Sequence, residues 1–320
     1  MAETGQDIQQ AKALLEAGEL VAIPTETVYG LAANGLNAKA AAKIFEAKNR
    51  PSFDPLICHT NSMEKVESFT TNIPKKAYAL AEKFWPGPMT MLLDRAPVVP
   101  DLTVSGLGRV GVRIPDHELT LSLLEQLDFP LAAPSANPFG YISPTTAAHV
   151  NDQLGEKINY IIDGGHSEVG IESTIIGFEN DEVIIYRLGG LSVEEIEDVV
   201  GPVKINAHSS SNPAAPGMLK SHYAPSCPVI LGEELKALAL QYAGKKVGVL
   251  GFDYGLENIP AEDQFVLSVR GDLNEAATRL FMGLRYLDGQ NLDLIITTLV
   301  PDEGLGRGIN DRLKRSAAKG

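Results

Sequence analysis

The sequence contains little cysteine. Cys58 and Cys227 are its two cysteines, and they lie far apart and belong to no metal-ligand spacing. They therefore indicate neither a metal site nor a disulfide framework, which suits a reducing compartment. The hydrophobic content of 44% is ordinary for a globular protein and permits a sizeable core.

Long apolar runs are also missing. No segment approaches the roughly 18 consecutive apolar residues that a membrane-spanning helix needs, and the first residues do not read as an apolar signal peptide. We therefore expect a cytoplasmic protein without membrane contact. At 320 residues the chain is long for one domain, and its length fits two domains of ordinary size.

Basic residues are in deficit. The chain has 27 lysines and arginines against 41 aspartates and glutamates, so its formal net charge is −14. Because sequence-independent binding of nucleic acid needs a basic face, we expect no strong direct contact with nucleic acid. The charge of an anionic ligand must instead be neutralised by a local basic pocket or by a divalent cation.

The segment KNRPSFDPLICH, residues 48–59, places two cations where a predicted helix ends. The preceding KAAAKIFEAK has the apolar spacing of an amphipathic helix, and Pro51 disfavours helical geometry at Arg50. A fixed pair of cations, Lys48 and Arg50, beside a rigid turn suits a phosphate or a carboxylate. The alternative is that Lys48 only complements the dipole at the C-terminal end of its helix.

A polar cluster follows the buried strand predicted by LVAIP. The segment PTETVYGL continues from the carboxyl end of this strand. Ligands gather at the carboxyl ends of strands in α/β sheets, so Thr25, Glu26, Thr27 and Tyr29 are well placed to contact one. The alternative is a turn capped by hydroxyl groups.

The string GLGRVG, residues 106–111, is not a dinucleotide-binding motif, because it precedes a strand instead of joining a strand to a helix. Its informative residues are Arg109 and Arg113, whose spacing along an extended segment directs both side chains to the same face. Two guanidinium groups on one face of so acidic a chain indicate an anion. His59 ends another strand, where a hydrogen-bonding role is commoner than catalysis.

The loop that begins at PLAAPSANPFG carries Ser135, Asn137 and Ser143 among prolines and glycine. Small hydroxyls and an amide on a tight loop are a common way to hold phosphate oxygens or a base edge. Thr145 or Thr146 is predicted to cap the helix that follows.

The composition changes after residue 202. The segment up to residue 226 is rich in serine, proline and alanine without periodicity, which predicts a linker. Lys220, His222 and Tyr223 near its end favour a lid over the pocket of the first domain. Beyond it, strands alternate with helices, which predicts a small parallel α/β sheet. The glycine-rich GLGRGIND opens the last helix and is interpreted as a turn, because no phosphate-binding motif is complete around it; the alternative is an anion site at the start of that helix.

Together these motifs resemble the Sua5/YrdC family, in its longer Sua5 form. The resemblance covers residues from about 20 to 226 through PTETVYGL, K-x-R-P with PLICH, VGVRIP, PSAN, ESTII, YRLGG, and APGM followed by HYAP. It implies an α/β fold with a YrdC-like twisted sheet domain over 1–205 and a linker or lid over 206–226. A smaller Rossmann-like α/β domain is implied over 227–320.

The resemblance also implies an activity. Members of the family form threonylcarbamoyl-adenylate and pyrophosphate from L-threonine, bicarbonate or CO₂, and ATP, for which we expect Mg²⁺ as cofactor. The product supplies downstream transferase machinery that makes N6-threonylcarbamoyladenosine beside certain tRNA anticodons.

The resemblance implies roles for particular residues of this chain. The threonine pocket is implied to contain Thr25, His59, Arg113, Ala133 and Ser173. Contacts to ATP are implied for Lys48, Ser52, Arg109, Ser135, Ser143, Arg187 and Tyr223. The catalytic set is Lys48, Arg50, Ser135 and Asn137, and no metal-ligating side chain is implied. One departure is Phe139, which stands where the S-x-N-x-S-G pattern of many members has a small hydroxyl residue.

No residue of this set is an obvious covalent nucleophile, so positioning and charge stabilisation are expected to carry catalysis. The hypothesis is that the threonine amine captures CO₂ or bicarbonate and that the carbamate oxygen then attacks the α-phosphorus of ATP. Arg113 suits the threonine carboxylate, because a guanidinium pairs with it bidentately. Two alternatives stay open. One is an RNA-binding module of the same fold, and the other is an enzyme for carbamoyl transfer or for ATP-dependent activation of another hydroxy amino acid such as serine.

Overall fold

The computed structural model describes residues 1–206 and 222–318. The helices in these ranges are α1 (Ile8–Glu16), α2 (Ala38–Lys48), α3 (Met63–Phe69), α4 (Lys75–Phe84), α5 (Glu118–Glu125), α6 (Ala147–Leu154), α7 (Val193–Val200), α8 (Leu235–Gln241), α9 (Leu273–Asp288) and α10 (Gly306–Ala317), with a 3₁₀ turn at Ala261–Asp263.

Twelve strands of the described residues form a large mixed sheet. They are β1 (Glu3–Gly5), β2 (Val21–Ile23), β3 (Gly30–Asn34), β4 (Ile57–His59), β5 (Thr70–Thr71), β6 (Met89–Arg95), β7 (Arg109–Arg113), β8 (Leu131–Ala132), β9 (Tyr160–Ile162), β10 (Thr174–Glu179), β11 (Glu182–Arg187) and β12 (Lys204–Ile205). The spatial order is β1-β9-β2-β3-β8-β4-β7-β6-β10-β11-β12, with β5 paired to β6.

Strand pairing brings distant segments of the large sheet together. β4 and β7 are parallel neighbours, and their register places His59 opposite Arg113. β10 lies parallel to β6, and β11 returns antiparallel to β10. The ends of β4, β7, β10 and β11 therefore carry basic and polar residues that are far apart in the sequence.

The two faces of the large sheet have different coverings. Ala22 and Leu31 pack with α2, α4 and α6 in one apolar cluster, whereas Val21 and Ala32 pack with α1 and α5 in another. Successive side chains along a strand point to opposite faces, so each strand contributes to both layers. Ile57 and Ala133 lie on the second face, where they line a polar cavity.

Local sequence signals explain how α2 begins and ends. The Asn37 side chain accepts hydrogen bonds from the backbone N–H groups of Lys39 and Ala40, which is a standard N-cap. The helix ends at Lys48 because Asn49 adopts the left-handed conformation with φ 53°. The predicted helix end is therefore confirmed. The predicted cap of α6 is Thr146, whose side chain accepts from the His149 N–H.

The last part of the chain forms a second, smaller sheet. Its strands are β13 (Val229–Gly232), β14 (Val247–Gly251), β15 (Gln264–Val266) and β16 (Leu294–Thr298), in the order β13-β16-β14-β15. All three strand pairs are parallel, which confirms the predicted small parallel α/β sheet. α8 packs on one face, whereas α9 and α10 pack on the other.

The two sheets are joined through a shared apolar cluster. Val28, Ile142 and Ile171 of the first part pack with residues of α9 and α10, such as Leu280 and Leu313. Polar contacts accompany this packing: the Tyr141 hydroxyl donates to Asp288 Oδ2 at 2.5 Å. Arg285 Nη2 donates to the Ile142 carbonyl at 2.5 Å.

Most of the predicted linker or lid over 206–226 lies outside the described residues, which resume at His222. The prediction made for Lys220 and for the segment APGM falls on that undescribed stretch. Within 1–206 and 222–318, no helix has the length and apolar character that crossing a bilayer requires.

Candidate active site

A cavity of about 50 Å³ opens on the second face of the large sheet. On a comparable measure one water molecule needs roughly 10–15 Å³, so the cavity suits a small polar molecule. Nine of the residues to which the resemblance assigns a role line it: Thr25, Arg50, His59, Arg113, Ala133, Ser135, Ser173, Arg187 and Tyr223. The sequence motifs therefore converge on one place in the fold.

The segment after β2 forms a hydroxyl-capped turn at the edge of the cavity. Thr25 Oγ1 donates to the Val28 carbonyl at 2.6 Å and accepts from the N–H groups of Thr27 and Val28, each at 3.2 Å. Thr25 and Thr27 both line the cavity. The two interpretations of PTETVYGL, a hydroxyl-capped turn and a ligand-contacting segment, are thus compatible. The hydroxyls of Thr25 and Thr27 belong to the turn and also line the cavity.

Arg113, at the end of β7, is almost completely buried beside this turn. Its Nη2 lies 2.7 Å from Glu26 Oε1, and its Nη1 donates to Thr27 Oγ1 at 2.8 Å. Nε donates to the Gly87 carbonyl at 3.2 Å. The guanidinium is therefore held rigidly, with an internal carboxylate as its counter-ion.

His59 lies opposite Arg113 in the neighbouring strand and is 3% exposed. Burial, together with the positive charge of Arg113, lowers the pKa of His59 to about 3. Its Nδ1 lies 3.2 Å from the Ile57 carbonyl. The imidazole is therefore neutral at physiological pH and acts as a hydrogen-bonding wall of the cavity.

Lys48 does more than end α2. Its Nζ donates to the carbonyls of Ser135 and Asn137, each at 2.5 Å, and its own carbonyl accepts from the Phe139 N–H at 2.8 Å. Burial, reinforced by the nearby Arg50, lowers the pKa of Lys48 well below its usual value. Lys48 therefore fixes the loop that carries Ser135 and Asn137, and its ammonium lies behind the cavity wall.

Arg50 lines the cavity and is held by its own turn. Its Nη2 lies 2.9 Å from Asp54 Oδ2 and donates to the Pro55 carbonyl at 2.8 Å, while Nε donates to the Asp54 carbonyl at 3.0 Å. Asp54 is fully buried. The rigid cationic turn predicted from K-x-R-P is thus built by a carboxylate four residues after Arg50.

Arg187, at the end of β11, also lines the cavity. Its Nη2 donates to the carbonyl and to Oγ of Ser173, at 2.9 Å and 3.0 Å. Ser173 Oγ lies 2.8 Å from Thr90 Oγ1. These contacts join β11 to the loop before β10 and orient the Ser173 hydroxyl.

Glu172 lines the cavity but was not singled out by the sequence reasoning. Its Oε1 accepts from Ser143 Oγ at 2.5 Å, and its Oε2 accepts from Arg312 Nε at 3.0 Å. Glu172 stands directly before Ser173 in ESTII, so its position in that motif was a usable signal. No local signal marked Arg312, which belongs to the second unit.

His222 and Tyr223 close the cavity from the side of the second unit. Their rings are 4.2 Å apart, and the Tyr223 ring lies 5.6 Å from that of Phe281. Phe139 packs edge-on against His222 at 5.8 Å, so an aromatic contact occupies the place of the family's small hydroxyl residue. Burial, then the charge of Glu172, raises the pKa of Tyr223 to about 12, which keeps its hydroxyl protonated.

Four further predicted residues lie away from the cavity surface. Asn137 and Ser143 are buried just behind it, where Asn137 Nδ2 donates to the Tyr141 carbonyl at 2.8 Å. Ser52 is exposed on the turn after Pro51. Arg109 lies 3.7 Å from Glu179 and stacks over Tyr186. Arg109 and Arg113 thus pair with separate carboxylates of the chain.

Among the described residues, no group of three or more His, Cys, Asp or Glu side chains is arranged to hold a metal ion. The carboxylates nearest the cavity, Glu26, Asp54 and Glu172, are each engaged by an arginine.

Two family models match nearly the whole chain. Residues 13–189 match the Sua5/YciO/YrdC model, described as telomere recombination. Residues 191–318 match the model described as the C-terminal domain of threonylcarbamoyl-AMP synthase.

Curated relatives and solved structures agree with these matches. The chain is similar to the threonylcarbamoyl-AMP synthase of Pyrococcus abyssi, at 42% identity over 97% of this chain and 94% of the relative. It is also similar to that of Bacillus subtilis, at 40% identity over 97% and 92%. The crystal structure of P. abyssi Sua5 complexed with L-threonine matches with a TM-score of 0.90 at 41% identity, covering 97% of this chain and 94% of that one.

Proposed function

The chain belongs to the Sua5/YrdC family, and we propose that it is a threonylcarbamoyl-AMP synthase. It would form threonylcarbamoyl-AMP and pyrophosphate from L-threonine, bicarbonate or CO₂, and ATP. The observation that carries this proposal is the convergence of nine motif residues on one cavity, in a fold that matches a threonine-bound relative with a TM-score of 0.90.

The cavity provides the complementary groups for an amino acid with a hydroxyl side chain. Arg113 is the guanidinium that would bind the threonine carboxylate, in exchange for part of its contact with Glu26. The hydroxyls of Thr25 and Ser173 and the neutral His59 are oriented before any ligand arrives. A preoriented polar wall of this kind lowers the ordering cost of binding.

The nucleotide would lie toward the buried cations. Arg50 and Arg187 border the cavity, and Lys48 stabilises the Ser135–Asn137 loop behind it. In the proposed reaction the threonine nitrogen bonds to the carbon of CO₂ and loses a proton. A carbamate oxygen then bonds to the α-phosphorus while the bond to pyrophosphate breaks, and the arginines stabilise the departing negative charge.

Mg²⁺ is proposed as the partner of ATP. Its oxygen preference and its usual binding by phosphates fit a site whose own carboxylates are occupied by arginines. When bound, the metal would supply charge neutralisation for the leaving pyrophosphate.

His222 and Tyr223 are proposed to move when ATP binds, because a nucleotide needs far more room than about 50 Å³. Closed over the substrates, they would exclude water from the labile carbamate.

The product is proposed to leave for transferase machinery that modifies tRNA, with the cytoplasm as the compartment. The alternative function as an RNA-binding module is not favoured, because the net charge is −14 and the cations of the site are buried instead of forming a basic surface.

Pyrophosphate release tests the proposed function. The purified full-length chain is incubated with ATP and Mg²⁺, and threonine and bicarbonate are added separately and together. We expect release only when both are present, and we expect its loss when EDTA removes the metal. Release that is independent of threonine, or none at all under any combination, would reject the proposal. Serine in place of threonine measures selectivity, for which one methyl group is worth roughly 1–3 kcal/mol.

A further inference from the structure

An ion pair between a residue of the cavity lining, Glu172, and a residue behind that lining, Arg312, joins the two units. Glu172 belongs to the loop before β10 and lines the cavity, and Arg312 belongs to α10. Arg312 Nε and Nη2 both lie 3.0 Å from Glu172 Oε2. The side chains of Arg312 and Glu172 are 0% and 8% exposed, so this ion pair is removed from water.

Arg312 also contacts two neighbours of the cavity besides Glu172. Its Nη1 donates to the carbonyl of Leu188, the residue after Arg187. Its Cζ lies 5.4 Å from the centre of the Tyr223 ring. One guanidinium of the second unit therefore contacts three of the segments that enclose the cavity.

Close backbone packing brings α10 within reach of Glu172. A Cβ atom on Gly308 would lie 3.0 Å from the Gly189 carbonyl oxygen and 3.4 Å from the Gly189 Cα. A Cβ on Gly189 would lie 2.2 Å from the Glu172 carbonyl oxygen. The paired glycines therefore let the helix pack directly on the segment between β11 and α7, and Arg312, one helical turn after Gly308, reaches the carboxylate.

The charge of Glu172 is the reason why this contact matters for the reaction. A buried carboxylate beside a triphosphate repels it, and such a repulsion is strong where water is excluded. Arg312 offsets that charge at Glu172 Oε2, and Ser143 Oγ donates a hydrogen bond to the other carboxylate oxygen, Oε1. Glu172 is thus held in one orientation with both of its oxygens engaged.

We propose that Arg312 is a positioning residue for ATP binding, which acts by neutralising and orienting Glu172. The inference rests on the proposed function and assigns to the second unit a direct part in the site of the first. It requires that the effect of removing Arg312 depends on the presence of the Glu172 carboxylate.

The test is a double-mutant cycle of Arg312→Gln and Glu172→Gln in the full-length chain. Equilibrium binding of ATP with Mg²⁺ and the KM for ATP are measured, together with the melting temperature. We expect R312Q to weaken ATP binding and raise the KM by roughly tenfold or more, because a buried charge is left without its partner. The double variant is expected to recover most of that loss, because neither charge remains.

Arg307→Gln is the matched control. Arg307 lies on the same helix and forms an ion pair with Glu194 across the same boundary, at 2.5 Å, but away from the cavity. We expect R307Q to leave the KM for ATP within about twofold, because the pair is partly exposed and lies away from the cavity. If R312Q fails to fold, the double variant is compared with the wild type instead. We then expect the double variant to bind ATP with nearly the affinity of the wild type.

Three results would overturn the inference: equal KM values for R312Q and R307Q, a double variant as impaired as R312Q, or a folded double variant with tenfold weaker ATP binding. Failure of the proposed function is a different result. It would appear as a wild-type chain that binds ATP but releases no pyrophosphate with threonine and bicarbonate, and the binding cycle would still report on Arg312.

Discussion

At the residue scale, burial determines what each ionisable side chain of the cavity can do. The ammonium of Lys48 is satisfied by two carbonyls, and Arg50 is fixed by Asp54. The sequence predicted both cations from the helix end and the proline that follows. It did not predict their partners, because the Ser135–Asn137 loop is brought to Lys48 only by the pairing of distant strands.

His59 gives the site a measurable dependence on pH. Its pKa falls from 6.5 to about 3 on folding. Below pH 6.5 the unfolded chain therefore binds a proton that the folded chain does not. Stability must then rise with pH between about 3 and 6.5, with a slope from this group of about 1.4 kcal/mol per pH unit in the middle of the window.

We expect His59→Gln to reduce that slope in urea unfolding between pH 4 and pH 6.5, whatever its effect on absolute stability. The control is the wild-type chain, measured over the same pH series. An unchanged slope in H59Q would show that His59 is not held neutral by burial.

At the scale of secondary-structure elements, local patterns predicted most helices and strands of this chain. The apolar spacing of KAAAKIFEAK predicted a helix, and α2 spans Ala38–Lys48. The alternation after residue 227 predicted the parallel sheet of β13 to β16. The contact of α10 with Glu172 was not predictable from such patterns, because it depends on which loop the helix meets after the two units pack together.

Gly308→Val tests the close approach of α10. A Cβ there would lie 3.0 Å from the Gly189 carbonyl oxygen and 3.1 Å from Ile171 Cδ1, so the helix must shift outward. We expect a loss of roughly 1–3 kcal/mol in the free energy of unfolding, as for overpacking of a core, together with weaker ATP binding.

The control for this variant is Gly289→Ala at the end of α9. Its Cβ would meet its nearest neighbour, the Tyr286 carbonyl oxygen, at an ordinary 3.5 Å. Stability should stay within about 0.5 kcal/mol of the wild type. Equal behaviour of the two glycine variants would mean that α10 has room to move.

At the scale of the whole molecule, the chain is acidic outside and holds buried cations at one cavity. The net charge of −14 directed attention to a local basic pocket. Arg50, Arg113 and Arg187 are buried and line the cavity, and Arg312 is buried behind Glu172. Two domains were expected from length and composition. Their shared apolar cluster was not, because Val28, Ile142 and Ile171 carry no local mark of their distant partners.

This continuous cluster predicts that the two units unfold together. Separating them would expose Val28, Ile142 and Ile171 along with the facing surfaces of α9 and α10, at a cost of about 25 cal/mol for each Å² of apolar area. Trp85, the only tryptophan, packs against the core of the first unit. Its fluorescence reports on that unit, whereas circular dichroism reports on both.

We expect the two signals to give the same urea midpoint, as a cooperative transition requires.

Tyr141→Phe removes the hydrogen bond to Asp288 across the boundary. It should lower both midpoints equally, by an amount that corresponds to roughly 1–3 kcal/mol, because the bond involves a charged acceptor. Tyr78→Phe, which removes an exposed bond to Glu67 within the first unit, is the control and should change little. Separate midpoints in the wild type, or a Y141F variant in which only one signal shifts, would show that the units fold independently and that α10 is docked on the first unit instead of sharing one core with it.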